Sequence, residues 1–285
     1  MDPRALRIDP SFVERRILDF ISEQVSAAGL KGGVVAVSGG LDSSVTLALS
    51  AKALGGNRVR ALMMPEQGLT PESDITDALE VAEMFGVTCD VVDITPVIRA
   101  IYSALPNYDP QDLISAGNVK ARVRMIINYY YANRLGKMVI GSSNKSELLT
   151  GYFTKYGDGA ADLFPLADLY KTQVCQLARH LGLPRRIIEK VPTAGLWPGQ
   201  SDEGELGVKY ELLDLILLGW ERGMSVESVA EELGVGVELV RGVFERVRRS
   251  RHKRVFPLIL RLSSNKSELG SGARGEEKEE SRKGR

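Results

Sequence analysis

The stretch VVAVSGGLDSSVTLALS, which runs from Val34 to Ser50, decides the fold that we predict for this chain. The β-branched run at its start, Val34–Val37, is typical of a strand buried on both faces of a sheet, and we predict a helix over Ser43–Leu54. The Ser-Gly-Gly sequence between them allows a sharp turn at the helix N-terminus, where backbone N–H groups and the helix dipole favour a phosphate group. The stretch therefore predicts a strand, a phosphate-binding loop and a helix.

The loop differs from the Walker loop, because no lysine follows its second glycine. Asp42 makes this difference chemically specific, since a carboxylate beside bound phosphates repels them unless both share a Mg²⁺ ion. The alternative interpretation is a glycine turn that a Ser or Asp side chain caps, without any ligand. Seven specified residues, Ser38–Ser44, between a strand and a helix favour the phosphate site.

Segments typical of strands and helices alternate along the chain. We predict helices over Ser11–Ala28, Ser43–Leu54, residues 71–86 and Asp112–Leu135, and strands over Val34–Val37, Val59–Met64, Val87–Asp93 and Met138–Gly141. This order predicts an α/β fold, a doubly wound parallel sheet with helices on both faces plus C-terminal helices, in which ligands bind at the carboxyl ends of the strands. Because Ser38–Ser44 and Ser142–Glu147 each follow such an end, we expect them to face one crevice.

The composition is that of a soluble enzyme rather than a general nucleic-acid binder. At 285 residues and 44% hydrophobic, the chain can bury a large core, and we expect one α/β domain over residues 1–257. Lys and Arg total 37, as do Asp and Glu, so an anionic ligand must be bound by local charge. Cys89 and Cys175 provide neither a disulfide framework nor a CxxC spacing. No apolar run approaches the ~20 residues of a membrane span, and we expect a cytoplasmic protein.

A second informative segment runs from Gly141 to Val174. Its middle, Gly151–Leu163, lacks helical or strand periodicity, and a loop of this length in a compact domain is usually functional or disordered. Glu147, just past a strand end, is placed to join Asp42 around a metal ion, and Lys171 begins a helix from which its ammonium group could reach phosphate. The alternatives are a solvated charge at a helix end for Glu147 and an ordinary surface lysine for Lys171.

The motif SGGLDSS resembles the loop of the N-type ATP pyrophosphatases, which cleave ATP to AMP and pyrophosphate, and further motifs resemble one family among them. NVKARVRM begins at Asn118, GSSNKSE at Gly141, TKYGDGAADLFPLADLYKTQV at Thr154 and PTAGLWPGQSDEGELG at Pro192, and HKR ends at Arg254. Together these motifs resemble the ammonia-dependent form of the NAD synthetase family, and they occur in the same order as in that family. A resemblance to GMP synthetase would fail beyond the first loop.

This resemblance implies roles for the residues that match. ATP would be bound by Ala36, Val37, Ser38, Gly39, Gly40, Leu41, Asp42, Ser43, Ser142, Lys171 and Thr193, and Mg²⁺ by Asp42 and Glu147. Deamido-NAD, the dinucleotide that ends in nicotinic acid, would be bound by Arg122, Lys155, Asp162, His252 and Lys253. Asp162 is also a candidate for the base that removes a proton from ammonium.

The implied reaction amidates a carboxylate, which ammonia does not attack at neutral pH because oxide is a very poor leaving group. The nicotinate carboxylate must first attack the α-phosphorus of ATP, so that pyrophosphate leaves and an acyl-adenylate remains. Ammonia then attacks the adenylate carbonyl and releases AMP and NAD⁺. Only ten residues precede the first predicted helix, and neither cysteine has a nucleophile-like setting, so we expect free ammonia or a separate amidase chain as the nitrogen source.

The C-terminal part favours a different class of protein. Two predicted helices around Gly234, in the segment from Ser225 to Arg254, resemble a helix-turn-helix with a basic second helix, which is typical of a DNA-binding regulator. We expect instead that this basic end brings His252 and Lys253 to an anionic dinucleotide, without nucleic acid or membrane as a partner. A nucleotide sensor without catalysis is a third possibility, which the two metal-binding carboxylates oppose.

Two apolar helices suggest an assembly. Glu211–Trp220 is apolar nearly all round, so we expect it in a core or against a partner, and Asp112–Leu135 presents apolar and aromatic side chains on adjoining faces. The resemblance implies a homodimer, for which we predict a two-fold interface through Asp112–Leu135 with the dinucleotide near the seam.

The end of the chain carries a repeat and a charged tail. SSNKSEL occurs at Ser142–Leu148 and again at Ser263–Leu269, and residues 258–285 are predicted to be disordered. We assign the metal role to Glu147, because only the first copy lies among the family motifs, and we expect Glu268 to be solvated.

Overall fold

The computed structural model describes residues 1–255, Pro257 and Leu260. Within them, four strands alternate with helices and are followed by further helices. The strands are β1 Gly33–Val37, β2 Val59–Met63, β3 Thr88–Val91 and β4 Met138–Val139. The helices are α1 Pro10–Ala27, α2 Leu41–Leu54, α3 Glu72–Met84, α4 Thr95–Ala104, α5 Leu113–Leu135, α6 Lys145–Thr150, α7 Lys171–His180, α8 Arg185–Ile188, α9 Asp202–Leu206, α10 Tyr210–Glu221, α11 Val226–Leu233, α12 Val237–Arg249 and α13 Arg251–Arg254. The predicted tail and the second SSNKSEL copy lie, apart from Leu260, outside the described residues.

The sheet is parallel throughout, with the strand order β3-β2-β1-β4. Gly33 of β1 pairs with Val59 on one side and with Met138 on the other. The phosphate-loop strand β1 therefore lies between two strands, and its carboxyl end opens beside that of β4. This arrangement confirms the predicted parallel sheet with flanking helices.

Alternate side chains of the strands enter different hydrophobic clusters, as the two-residue period of a strand requires. Val35 and Val37 pack with buried residues of α1, α2, α3 and α7, whereas Val34 packs with residues of α4 and α5. Helices thus cover both faces of the sheet, which explains why the strands read as continuous apolar runs.

Several predicted boundaries were wrong. The predicted strand Val87–Asp93 is shorter, and helix α4, which the sequence interpretation missed, follows it with the Asp93 carboxylate accepting a hydrogen bond from the Thr95 N–H at 2.8 Å. The predicted strand Met138–Gly141 ends at Val139: Ile140 still donates its N–H to the Val34 carbonyl of β1 at 2.9 Å, but Gly141 donates to the Leu163 carbonyl, 2.8 Å away. The chain thus leaves the sheet directly before the predicted site residues.

A separate hydrophobic cluster joins α10, α11 and α12 to Leu6 near the chain start. Helix α10, the apolar Glu211–Trp220 segment, has Leu213, Ile216 and Leu217 essentially inaccessible to solvent. Its apolar surface is therefore buried in its own chain, and the suggestion that it forms a partner surface was wrong. Among the described residues, no helix combines the length and apolarity needed to span a membrane.

The predicted pair of C-terminal helices is α11 and α12, joined after Gly234, which has the left-handed conformation at the end of α11. The apolar face of α12, including Val240 and Phe244, is buried, and Phe244 packs edge-on against Trp220 of α10. Helix α13 follows α12 and contacts the loop after α6. There, Lys253 of α13 donates hydrogen bonds to the carbonyls of Gly151 and Phe153 at 2.8 Å.

Candidate active site at the carboxyl ends of β1 and β4

A cavity of about 950 Å³ opens at the carboxyl ends of β1 and β4. Parallel sheets with helices on both faces commonly bind their ligands at this position. Most of the predicted ATP and metal residues line it, together with one predicted dinucleotide residue: Ala36, Val37, Ser38, Gly40, Leu41, Asp42, Ser43, Ser142, Glu147, Lys171, Thr193 and Lys253. The structure therefore brings together residues that are distant in the chain.

The Ser-Gly-Gly loop is held by hydrogen bonds among its own residues. Ser43 Oγ accepts from the Ser38 N–H and donates to the Gly40 carbonyl, both at 3.1 Å, and Ser44 Oγ donates to the same carbonyl at 2.7 Å. Gly39 has φ = +74°, a conformation that side chains rarely adopt. These contacts place the N-terminus of the 14-residue helix α2 at the cavity wall, where its dipole favours an anion.

Two carboxylates and a lysine meet at this end of the cavity. Lys171 Nζ forms a close ion pair with Asp42 and lies 3.7 Å from Glu147 Oε1, and its side chain is only 7% exposed. Asn144 connects the two acids, because its Nδ2 donates to Asp42 Oδ1 at 3.0 Å while its backbone N–H donates to Glu147 Oε2 at 3.2 Å. Lys171 is therefore a buried residue of the site and not a surface lysine.

The charges of this cluster shift one another's ionisation. Burial raises the pKa of Glu147, and the negative charge of Asp42 raises it further. Burial acts to lower the pKa of Lys171, but the charges of Asp42 and Glu147 outweigh it and the pKa of Lys171 is raised. Lys171 is thus kept in its charged form. Glu147 has too little positive charge beside it to offset its burial and the charge of Asp42.

The donor set fits a Mg²⁺ ion that is shared with a phosphate ligand. Within residues 1–255, no group of three or more His, Cys, Asp or Glu side chains could hold a metal by itself. Mg²⁺, however, is usually bound by one or two carboxylates together with substrate phosphates and water. Asp42 and Glu147 provide two carboxylates beside the phosphate-type loop, and a cation there would relieve the repulsion that raises the pKa of Glu147.

Three of the predicted dinucleotide residues lie together beside this cavity rather than in its lining. Arg122 of α5 donates to the Lys155 carbonyl at 3.3 Å, and Lys155 Nζ donates to the His252 carbonyl at 2.9 Å. These contacts link α5, the irregular loop after α6 and the C-terminal helix α13. They form a basic rim next to Lys253, which does line the cavity.

Asp162 does not line the cavity. Its Oδ2 accepts a hydrogen bond from the Val139 N–H at 2.8 Å, and its Oδ1 accepts from the Tyr129 hydroxyl at 3.2 Å. Both oxygens are therefore engaged where β4 ends, which supports a role in fixing the strand. The sequence shows a carboxylate in an irregular loop, but it does not show which backbone group that carboxylate accepts from.

The cavity also contains residues that the sequence interpretation did not assign. Arg124, Asp158, Asp202 and Tyr210 line it. Asp202 is 4% exposed and accepts from the Tyr210 hydroxyl at 3.1 Å, and burial raises its pKa. Arg124 lies two residues beyond Arg122 in NVKARVRM, and Asp158 belongs to the loop whose missing periodicity indicated function. For Arg124 and Asp158, this position within the motifs was the signal in the sequence that could have identified them as site residues.

Comparisons with known proteins identify the family of this chain. A family model described as NAD synthase matches residues 13–257. The NH(3)-dependent NAD(+) synthetase of Methanosarcina mazei is 44% identical over 255 residues, which are 90% of this chain and 100% of that protein. The enzyme of the same description from Archaeoglobus fulgidus is 47% identical over 250 residues, which are 88% of this chain and 96% of that protein.

Solved structures show the same similarity. The NMN synthetase of Francisella tularensis superposes with a TM-score of 0.79 at 33% identity, covering 89% of this chain and 99% of that one. The NH3-dependent NAD synthetase of Campylobacter jejuni, in complex with nitrate, superposes with a TM-score of 0.75 at 29% identity, covering 90% and 100%.

Proposed function

The chain belongs to the NAD synthase family, and we propose that its large cavity is where deamido-NAD is amidated by ammonia with the use of ATP. The enzyme is a ligase of the ammonia-dependent type, which forms NAD⁺, AMP and pyrophosphate in the last step of NAD biosynthesis. One observation supports placing this reaction in the cavity: the Ser-Gly-Gly loop, Asp42, Glu147 and Lys171 lie together in its lining.

Each group at the end of the cavity beside the Ser-Gly-Gly loop has a chemical task in forming the adenylate. The α2 N-terminus and the loop N–H groups would hold the ATP phosphates, and Lys171 would stabilise the charge that develops as pyrophosphate leaves. Asp42 and Glu147 would hold the Mg²⁺ ion, which supplies charge neutralisation on the phosphates when bound. Thr193, whose hydroxyl donates to the Gln200 carbonyl at 2.8 Å, and Ser142 would contact ATP from the cavity wall.

The dinucleotide would lie toward the basic rim. Arg122 and Lys155 adjoin each other and His252 there, and Lys253 reaches the cavity, so the arginine and the two lysines offer positive charge to its phosphates. Because a similar solved structure is named NMN synthetase, amidation of the corresponding mononucleotide is the second candidate reaction.

Ammonium must lose a proton before it attacks the adenylate. Asp158 lines the cavity, and desolvation raises the pKa of its carboxyl, which makes it a better proton acceptor. Its Oδ1 accepts from the Thr154 N–H at 2.9 Å, and it is better placed for this task than Asp162 because Asp162 does not line the cavity. The ammonia would come from solution or from an amidase on a separate chain, in the cytoplasm.

The function is tested with purified protein, ATP, Mg²⁺ and ammonium chloride, with deamido-NAD or nicotinic acid mononucleotide as the acceptor. We expect equimolar AMP and NAD⁺ from the dinucleotide, a rate lower by at least tenfold with the mononucleotide, and a similarly lower rate when glutamine replaces ammonium. Preference for the mononucleotide would establish the second candidate reaction, and AMP formation without either acceptor would contradict both.

We propose a homodimer that uses the outer face of α5. Ile126 and Tyr130, four residues apart on that helix, are each 59% exposed, which is unusual for apolar side chains of this size. Arg122 lies one turn before Ile126, so a two-fold interface on this face would place the basic rim near the seam.

The dimer is tested with Ile126→Glu, which places a charge on the proposed interface and is expected to give a monomer by light scattering at micromolar concentration. Phe12→Glu is the matched control, since Phe12 is 54% exposed on α1, and we expect it to leave the dimer intact. A wild-type protein that is monomeric and fully active would refute the proposed assembly.

A further inference from the structure

Asp214 of α10 is a carboxylate that is inaccessible to solvent and that contacts two other helices. Its Oδ1 accepts a hydrogen bond from Ser146 Oγ of α6 at 2.5 Å. Its Oδ2 accepts two from Thr172 of α7, one from the backbone N–H at 2.9 Å and one from the hydroxyl at 2.7 Å. A buried carboxylate with three donors is strongly fixed in position, because hydrogen bonds to charged groups are among the strongest in proteins.

These contacts cap α7 from outside its own segment. The Lys171 N–H donates to Ser146 Oγ at 2.9 Å, and the Thr172 N–H donates to Asp214, so the first two amides of the helix are satisfied by α6 and α10. The carboxylate also faces the positive end of the α7 dipole. Burial raises the pKa of Asp214 to about 6, with the donors opposing it, so the group is mostly ionised at neutral pH.

The capped positions adjoin the site. Ser146 directly precedes Glu147, and Thr172 directly follows Lys171. Asp214 therefore holds the hydroxyl of the residue before Glu147 and the backbone N–H of the residue after Lys171, the two side chains whose charged ends lie 3.7 Å apart. No atom of Asp214 belongs to the cavity lining, so it acts through these neighbours.

We propose that Asp214 is a positioning residue, which sets the placement of Lys171 relative to Glu147 for the reaction at the ATP phosphates. The proposal rests on the function assigned above to those two residues. A displacement of about 1 Å in such a group can lower rates by about 100-fold, whereas a purely structural carboxylate would affect only the stability of the fold.

The two roles differ in what Asp214→Asn changes. Asparagine has the same size and can still accept from Thr172, but it loses the charge and one acceptor oxygen. We expect a folded variant whose kcat/KM for ATP falls by about 10-fold to 100-fold, while the KM for ammonium stays within about twofold of wild type. Calorimetric affinity for ATP with Mg²⁺ is expected to weaken as well.

Val240→Ala is the control for stability alone. Val240 of α12 is inaccessible to solvent and belongs to the hydrophobic cluster that joins α10, α11 and α12. It does not line the cavity. We expect it to lower the melting temperature without changing kcat/KM for ATP, when rates are measured well below the melting transition. An Asp214→Asn variant that behaves in the same way would overturn the positioning role.

Thr172 provides a second series if Asp214→Asn does not fold. Thr172→Val removes the hydroxyl that donates to Asp214 and is expected to lower kcat/KM for ATP with an unchanged KM for ammonium, whereas Thr172→Ser keeps the hydroxyl and should restore the rate. Equal rates in both variants would refute the proposal. If the wild-type protein does not amidate the dinucleotide, the proposed function is refuted. The positioning role is then still tested by comparing the calorimetric ATP affinity of the variants with that of wild type.

Discussion

Asp42→Asn and Glu147→Gln are each expected to lower turnover by about 100-fold or more, which corresponds to roughly 3 kcal/mol of lost transition-state stabilisation. Each change removes one of the two carboxylates that would hold Mg²⁺ and leaves the charge of Lys171 less balanced. The fold should persist, because both amides keep an acceptor oxygen for Asn144, which donates to Asp42 Oδ1 and to Glu147 Oε2. Initial rates of AMP release at several Mg²⁺ concentrations, with melting curves, measure both effects.

The second SSNKSEL copy provides a matched control. Glu268 occupies the position in that copy that Glu147 has in the first. We expect Glu268→Gln to keep the wild-type rate and Mg²⁺ dependence. A metal role for Glu147 is refuted if Glu147→Gln retains near-normal Mg²⁺-dependent activity, and the assignment between the copies is reversed if Glu268→Gln loses it.

Gly39→Ala is the second substitution from which we expect a large effect. A Cβ at this position would lie 2.2 Å from the Asp74 carbonyl oxygen, and the φ of +74° adds strain that is independent of the clash. Lys190 Nζ, which donates to the Gly39 carbonyl at 2.8 Å and to Asp74 Oδ1 at 2.9 Å, opposes separation of the two segments. The loop must therefore shift, and we expect ATP affinity to fall by about 100-fold or more, roughly 3 kcal/mol, with a lower melting temperature.

Gly182→Ala separates the clash from the backbone strain. Gly182 also has φ = +74°, but nothing lies within 4 Å of a Cβ built there. Its substitution should cost only the conformational penalty, about 1–2 kcal/mol of stability, and should leave ATP affinity unchanged by calorimetry. Wild-type affinity in Gly39→Ala would show that the loop does not bind the phosphates in its present conformation.

The strands and the loop were predictable because their signals are local. The run Val34–Val37 is apolar at every position, as burial on both faces requires, and the glycines that follow it permit the turn. The meeting of Asp42 with Lys171 was expected only through the order of the strand ends and the family motifs. Their close ion pair depends on how α7 packs, which no local pattern encodes.

The failures concern long-range packing. The sequence left open whether the apolar surface of α10 packs in a core or against a partner, and the partner suggestion was wrong, because α12 and α6 of the same chain contact it. The ligand role of Asp162 stays a prediction, and the sequence did not show that its carboxylate also accepts from Val139 at the end of β4. A sequence identifies a side chain that needs a partner, and only the tertiary fold shows which partner meets that need.

The dispersal of the site along the chain has a consequence for how the protein acquires its activity during synthesis. Asp42 and Asn144 are separated by 102 residues, and Asp42 and Lys171 by 129 residues. Contacts of such long range form slowly, because large loops must close first. A nascent chain that ends before α7 carries the phosphate loop without its buried cation. The growing polypeptide must therefore reach a nearly complete tertiary structure on the strength of its hydrophobic clusters, before its substrates can stabilise it.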